Sequence, residues 1–191
     1  MHKKNITVLL LIIMMAQGLP AVSRFNIHSI GLFGYEPVSR YENKVTGPGL
    51  SLAQEFYYSR GSLISFGAGC RYLFPVETVD NEELSFTAVY AALKVFFTDK
   101  TVPLYAKAAA GYNFIEGNED AELSKNNLKG GFYYSLGGGI DLPLYYTDFL
   151  RFSLVLDMGW SSYSAGFESS GGNESLSYIT LDMLAGLGIR L

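Results

Sequence analysis

Apolar and polar positions alternate with period two along most of this chain, from about residue 25 to its last residue. In the stretch that contains Phe132, Tyr134 and Leu136, the alternate positions are small or polar, as Ser135 and Gly137 are. Alternation of this kind predicts β-strands with one apolar face and one polar face. Eight such segments are predicted, at 25–36, 49–59, 62–74, 84–97, 102–114, 131–142, 150–160 and 176–191.

The connections between these segments alternate between long and short. Long polar stretches occur at 38–48, 75–83, 115–130 and 161–175, and short turns occur at 60–61, 98–101 and 143–149. The long stretches hold eleven of the eighteen acidic residues. Four long loops interleaved with three short turns are typical of an outer-membrane barrel, with the long loops outside the cell and both chain ends on the periplasmic side.

The volume of a barrel decides which face of each strand points inward. The interior of an eight-stranded barrel is just wide enough to be filled by side chains. Some forty large apolar and aromatic residues cannot converge there, whereas glycine, serine and a few charged chains can. The bulky face is therefore predicted to meet lipid. The predicted fold is all-β, an eight-stranded antiparallel up-and-down transmembrane β-barrel.

Charged residues recur on the small, inward face of the predicted strands. Because unpaired charges are costly in a narrow interior, their near balance predicts a plugged, salt-bridged lumen. Gln54 is an exception, since it falls on the lipid face; either a bulge shifts the strand register or the residue lies near a membrane interface. The predicted network has four acids, Glu55, Asp141, Asp157 and Asp182, and five bases, Arg71, Lys94, Lys107, Arg151 and Arg190.

The N-terminus has the features of a secretory signal. Lys3 and Lys4 precede an apolar run at 6–16 that is too short to span a bilayer. Small residues place the cleavage site after Gly18 or Ser23. The predicted organisation is a signal peptide at 1–23 and one barrel domain at 24–191.

Composition and candidate chemistry narrow the possible functions. A formal charge of −4 and no clustered basic surface argue against a nucleic-acid partner. Cys70 is expected to be an apolar strand residue. His28 and Ser29 point to opposite faces of one strand, so they cannot form a nucleophile and base pair. The acidic segment 116–122 lacks the ligand spacing of a calcium loop, and no metal site or cofactor is predicted.

Three segments resemble a known group of proteins: GPGLSLAQEFYYSRG, LYAKAAAGYNF and GGFYYSLGGGIDLPL, together with a final alternating strand that ends at Leu191. The resemblance is to the small outer-membrane β-barrel family, which includes the OmpA-like transmembrane domain and the OmpX-like and opacity-type surface proteins. It implies a bacterial outer-membrane location, contact with outer-membrane lipid, and recognition of the C-terminal strand by the assembly machinery. Leu191 departs from the aromatic residue that usually ends such proteins.

The function expected from these features is non-enzymatic: a structural, adhesion or surface-recognition role carried by four acidic loops, with a possible extracellular ligand. A narrow porin or small-solute channel is one alternative. A lipid-modifying outer-membrane enzyme is another, and a soluble lipocalin-like barrel is the rival outside the membrane.

Overall fold

The computed structural model describes nine strands in a single sheet. It covers residues 26–41, 44–46, 48–60, 63–77, 83–97, 103–117, 129–147, 150–169 and 172–190. The predicted signal peptide lies outside this range. The strands are β1 (Asn26–Tyr41), β2 (Lys44–Thr46), β3 (Gly49–Arg60), β4 (Ile64–Glu77), β5 (Glu83–Phe96), β6 (Leu104–Gly117), β7 (Lys129–Tyr146), β8 (Arg151–Ser169) and β9 (Gly172–Arg190).

Among the described residues, there is no helix with the length and apolar character needed to cross a membrane.

Eight long strands close on themselves to form an antiparallel barrel. Each of β3 to β9 pairs with its neighbour in sequence, β1 pairs with β3, and β9 returns to pair with β1. The closing register places His28 opposite Arg190. The three-residue β2 forms a hairpin with the end of β1 and is not one of the strands of the barrel wall. A closed barrel pairs its backbone groups between strands and leaves no open sheet edge, as a lipid environment requires.

The two ends of the barrel differ in their connections. At one end, which we call the turn end, lie the start of β1, the end of β9 and the links between β3 and β4, β5 and β6, and β7 and β8. At the other end, the loop end, lie the remaining connections, including the longest, between β6 and β7. The connections at the loop end are not uniformly long as predicted, because only two residues separate β8 from β9 whereas eleven separate β6 from β7.

Large apolar side chains cover the outside of the barrel, as predicted. Phe66, Leu136 and Trp160 are each more than half exposed, whereas Arg71 and Asp157 are buried inside. The sorting follows the period of two, because neighbouring residues of a strand point to opposite faces of the sheet. The interpretation of the bulky face as the outer one is confirmed.

The inner face is more apolar than the sequence indicated. Ile30, Leu73 and Phe86 are buried in the barrel beside several tyrosines. Glycines make room for these rings: a side chain at Gly67 would collide with the ring of Tyr57, and one at Gly69 with the ring of Tyr90. The lumen is therefore filled by aromatic rings packed against bare backbone, in addition to the charged side chains.

Several strands continue past their predicted ends. β8 and β9 stay paired up to Ser169 opposite Gly172, so most of the predicted loop at 161–175 is strand. Register shifts occur between Tyr35 and Val38, between Leu73 and Val76, and between Pro143 and Tyr145. A bulge breaks the period of two without ending the strand. This explains why the segments predicted at 25–36, 62–74 and 131–142 end near these positions, whereas β1, β4 and β7 continue.

Gln54 lies on the outer face without a bulge, because the register of β3 with both neighbours is continuous around it. Its side-chain amide donates a hydrogen bond of 3.0 Å to Ser29 Oγ, and the side chain lies over Gly31. The residue is only 8% exposed. A partner on the neighbouring strand thus satisfies this polar group within the apolar wall.

The position of Leu136 near the middle of β7 gives a test of the lipid-facing wall. We expect Leu136→Arg to lower the free energy of unfolding in a phospholipid bilayer by about 2–4 kcal/mol, because a charge at the midplane of the bilayer is poorly solvated. Leu144→Arg, on the same face but near the turn end, should cost about 0–1 kcal/mol. Denaturant titration of the refolded protein in vesicles measures both, and equal losses would contradict the predicted orientation of the barrel in the bilayer.

Candidate functional site

The charged side chains of the lumen form three clusters that follow one another along the barrel. We call them the turn-end cluster, the central cluster and the arginine cluster. The turn-end cluster holds His28, Asp141, Arg151 and Arg190; the central cluster holds Glu55, Lys94, Lys107 and Asp157; the arginine cluster holds Glu36, Arg71 and Asp182.

Arg71 joins three strands in the arginine cluster. Its two terminal nitrogens donate to both carboxylate oxygens of Asp182, at 2.7 and 2.9 Å, and Nη2 also donates to Glu36 at 2.6 Å. Ser51 and Ser161 accept further hydrogen bonds from the guanidinium. The guanidinium matches a carboxylate with two parallel hydrogen bonds, a geometry that lysine cannot supply. Arg71 therefore ties β1, β4 and β9 together across the lumen.

The central cluster is built around Glu55. Lys107 Nζ bridges Glu55 at 2.6 Å and Asp157 at 2.8 Å. The hydroxyls of Tyr57 and Tyr90 donate to the two oxygens of Glu55 at 3.0 and 2.8 Å. Tyr105 donates to Asp157 in the same way. Each buried carboxylate thus receives both a cation and a phenol, which offsets the loss of water around it.

Lys94 is held differently from Lys107. Its ammonium lies 3.8 Å from Glu55, beyond a direct hydrogen bond, and 4.4 Å from the ring centres of both Tyr57 and Tyr105. A cation between two aromatic faces is stabilised by their electron density. The rings replace part of the water that this fully enclosed ammonium would otherwise need.

Aromatic side chains fill the lumen between the arginine cluster and the loop end. Phe86 stacks on Tyr178 with ring centres 5.2 Å apart and contacts Tyr163 at 5.3 Å. Tyr133 continues the group, with its ring centre 5.0 Å from that of Tyr163. All four side chains are almost completely buried. This aromatic layer closes the loop-end half of the lumen.

Glu36 is the site residue that sequence reasoning missed. It is fully buried and shares an alternate face of β1 with His28, Ile30 and Leu32. The alternation could have identified it, but its position next to a predicted loop at the end of the segment hid its role. With Glu36 added to the four predicted acids, five lumen carboxylates stand against five lumen bases among the described residues.

The arrangement supplies packing and charge compensation, with little space for a reactant. A small cavity of about 20 Å³ separates the central cluster from the arginine cluster, and Tyr90 and Tyr133 line it. This volume is sufficient for about one water molecule. Within the described part of the chain, no group of three or more His, Cys, Asp or Glu residues could hold a metal ion.

Comparison with known proteins places this architecture among solved barrels. OprG, an outer membrane protein from Pseudomonas aeruginosa, is 11% identical, with a TM-score of 0.57 over 87% of this chain and 96% of that one. Neisserial surface protein A is also 11% identical, with a TM-score of 0.55 and the same coverage. Ail, the attachment invasion locus protein of Yersinia pestis, is 12% identical, with a TM-score of 0.50 over 87% and 99% of the two chains.

No protein-family model and no curated protein sequence matches the chain. At identities near one residue in ten, the structural likeness shows the fold alone. The fold is that of the small outer-membrane β-barrels, so the resemblance predicted from the sequence is confirmed at this level. The solved proteins with this fold include the outer membrane protein OprG and the attachment invasion locus protein Ail.

Removal of Arg71 tests how far the lumen depends on charge compensation. We expect Arg71→Met to lower the free energy of unfolding by about 3–5 kcal/mol, because Glu36 and Asp182 would stay buried without their cation. The triple variant Arg71→Met, Glu36→Gln, Asp182→Asn removes the charges together and should recover most of this loss. Denaturant titration in detergent micelles measures the three proteins. A triple variant no more stable than the single one would show that uncompensated charge is not the cause.

Proposed function

We propose that this chain is a sealed, non-enzymatic barrel of a bacterial outer membrane that holds its loop-end connections outside the cell for a structural, adhesion or recognition role. The observation that carries the proposal is the filled lumen, in which charged clusters and a layer of aromatic rings follow one another from end to end. The apolar outer wall and the barrel fold support the location.

A solute channel is the weaker alternative. Conduction needs a continuous polar path, and the layer formed by Phe86, Tyr133, Tyr163 and Tyr178 fills the section towards the loop end. Closer to the turn end, Lys107 on β6 bridges Glu55 on β3 and Asp157 on β8. An ion crossing the lumen would have to break these pairs and displace the rings.

A lipid-modifying enzyme is also a weaker alternative. His28 is only 3% exposed, and its Nδ1 lies 3.9 Å from Asp141 deep in the turn-end cluster. A base that acts on a lipid must reach the acyl or head group at the barrel rim, and a histidine enclosed in the lumen has no such access. His28 is better explained as part of the lumen packing.

The loop-end rim carries the acidic residues on which an external role depends. Glu77 lies directly opposite Glu83 at the paired ends of β4 and β5, and Glu116 lies on the next strand opposite Ser85. Glu168 and Glu174, also predicted as loop residues, lie on the paired ends of β8 and β9. The remaining predicted acidic positions, within 42–43, 78–82 and 118–128, lie outside the described residues. A rim of negative charge favours an external partner whose own surface is cationic, or a contact bridged by cations, over an apolar partner.

Conductance of the purified protein tests whether the barrel is sealed. We expect wild-type protein in a planar lipid bilayer to give no resolved conductance steps, because rings and ion pairs occupy the lumen. A variant with Glu55, Lys94, Lys107 and Asp157 all changed to serine keeps the net charge and empties the central cluster. This variant should show a higher ionic conductance than wild type. Heat-modifiable migration on gels shows that each barrel is folded, and discrete wild-type steps would overturn the proposal.

Cysteine labelling in intact cells tests the location and orientation. In a Cys70→Ala background, a Glu116→Cys variant should react with a membrane-impermeant maleimide, because the loop end faces outward in this proposal. The matched Thr147→Cys variant, exposed at the turn end, should react only after the outer membrane is opened. The reverse pattern, or equal labelling of both in intact cells, would contradict the proposed topology.

A further inference from the structure

Three basic side chains lie side by side inside the turn end of the barrel. Arg151 on β8 pairs with Arg190 on β9, and Arg190 pairs in turn with His28 on β1. All three residues belong to the inward-facing set of their strands, so their side chains enter the same section of the lumen. Arg151 and Arg190 are both charged, and like charges directly opposite on neighbouring strands destabilise a sheet, so this pair needs compensation.

The compensation within the chain is incomplete. Asp141 is the acidic side chain described in contact with this row, and it serves all three members. Its oxygens lie 3.7 Å from Arg151, 3.7 Å from Arg190 and 3.9 Å from His28. These distances are longer than the about 2.7–2.9 Å that is typical of a charge-assisted hydrogen bond. In the arginine cluster, by contrast, Arg71 meets its carboxylates at 2.6–2.9 Å.

Hydrogen-bond donors in the row are left without acceptors. The Nε atoms of Arg151 and Arg190 and the Nε2 atom of His28 are buried and have no hydrogen-bond partner in the structure. Asp141 Oδ1 is the single unpartnered acceptor beside them. Buried polar atoms of this kind are uncommon in native proteins, and each calls for a partner. The two arginine donors and the surplus of positive charge over Asp141 select a partner that is an anion with several acceptor oxygens.

Gly188 lies against the enclosed side of this row. A side chain at this position would collide with the imidazole of His28 and the hydroxyl of Ser153, so these two groups already fill the space over the glycine. The side chains of Arg151 and Arg190 are each one-quarter exposed, whereas those of His28 and Asp141 are almost completely enclosed. The row thus has an open side at the mouth of the barrel and an enclosed side within it.

The geometry points to an oxyanion site at the turn-end mouth, formed by the partly exposed Arg151 and Arg190 with His28 enclosed behind them, whose ligand is a phosphate group. Guanidinium groups bind phosphate through paired hydrogen bonds, and two of them on adjacent strands present their donors to one tetrahedral anion. The phosphate is either a free ion of the aqueous phase or the head group of a phospholipid in the adjoining leaflet. The site is independent of the sealed-lumen proposal, since it needs no path through the barrel.

Titration with inorganic phosphate tests the free-ion form of the ligand. The full barrel is refolded in an alkyl glucoside, which contains no phosphate, and binding is followed by the ¹⁵Nε resonances of arginine and by the thermal midpoint. We expect saturable binding that raises the midpoint. Arg151→Gln and Arg190→Gln should each weaken it by about tenfold, as expected for loss of a charge-assisted hydrogen bond. Lys129→Gln, at the loop end, is the charge-matched control and should leave the affinity unchanged.

Reconstitution in two kinds of vesicle tests the lipid form. In phosphatidylglycerol vesicles the lipid head group is the only phosphate, and ³¹P–¹⁵N dipolar recoupling to the arginine side chains reports contact with it. A digalactosyl diacylglycerol vesicle without phosphate is the blank. Contact that is lost in the Arg151→Gln, Arg190→Gln double variant and kept in Lys129→Gln assigns the site to the head group.

Binding in either arm with this pattern of variants supports the site and identifies the source of the phosphate. Absence of saturable binding in the glucoside together with absence of recoupling in the phosphatidylglycerol vesicles overturns it. An equal loss in Lys129→Gln and in the arginine variants also overturns it, because the binding would then follow overall charge. Heat-modifiable migration confirms that each variant is folded, so a failure to fold is not read as a failure to bind.

Discussion

Compensation of charge inside a closed, lipid-facing barrel is the interaction on which the rest of this structure depends. A charge on a wall that meets hydrocarbon is costly, so ionised residues within the membrane-spanning part of the strands point to the axis. There they have little water, and each needs a partner within hydrogen-bonding reach. The arginine and central clusters meet this requirement through contacts between strands that are far apart in sequence, such as Arg71 with Glu36 and Asp182.

Aromatic rings and glycines provide the second half of the packing. Tyr57 and Tyr90 lie against Gly67 and Gly69, where backbone takes the place of a side chain. The same two tyrosines donate hydrogen bonds to Glu55, so their rings fill space while their hydroxyls solvate a carboxylate. A lumen filled in this way has little free volume, which supports the proposal of a sealed barrel that holds its connections in place.

The three clusters differ in how well they are satisfied, and the difference separates structure from candidate function. Arg71 has short hydrogen bonds to both of its carboxylate partners, as expected of a group that holds strands together. The turn-end row has longer contacts and unpartnered donors beside an open mouth. Unpartnered donors beside partly exposed arginine side chains support the proposal that this row binds an anion from outside the chain.

The period-two pattern determined the strands and their count, because backbone geometry forces alternate residues to opposite sides. The small interior of an eight-stranded barrel then determined which face of each strand points inward. It also determined which nine charges point inward. It could not determine strand ends such as Tyr41 and Ser169, since bulges and water-exposed strand tips interrupt the pattern without ending the pairing. Only the tertiary structure decided the partners: that Glu36 completes the arginine cluster, that Lys94 lies between two rings, and that three bases share Asp141. These contacts depend on the closure and tilt of the barrel, which bring distant strands to one level.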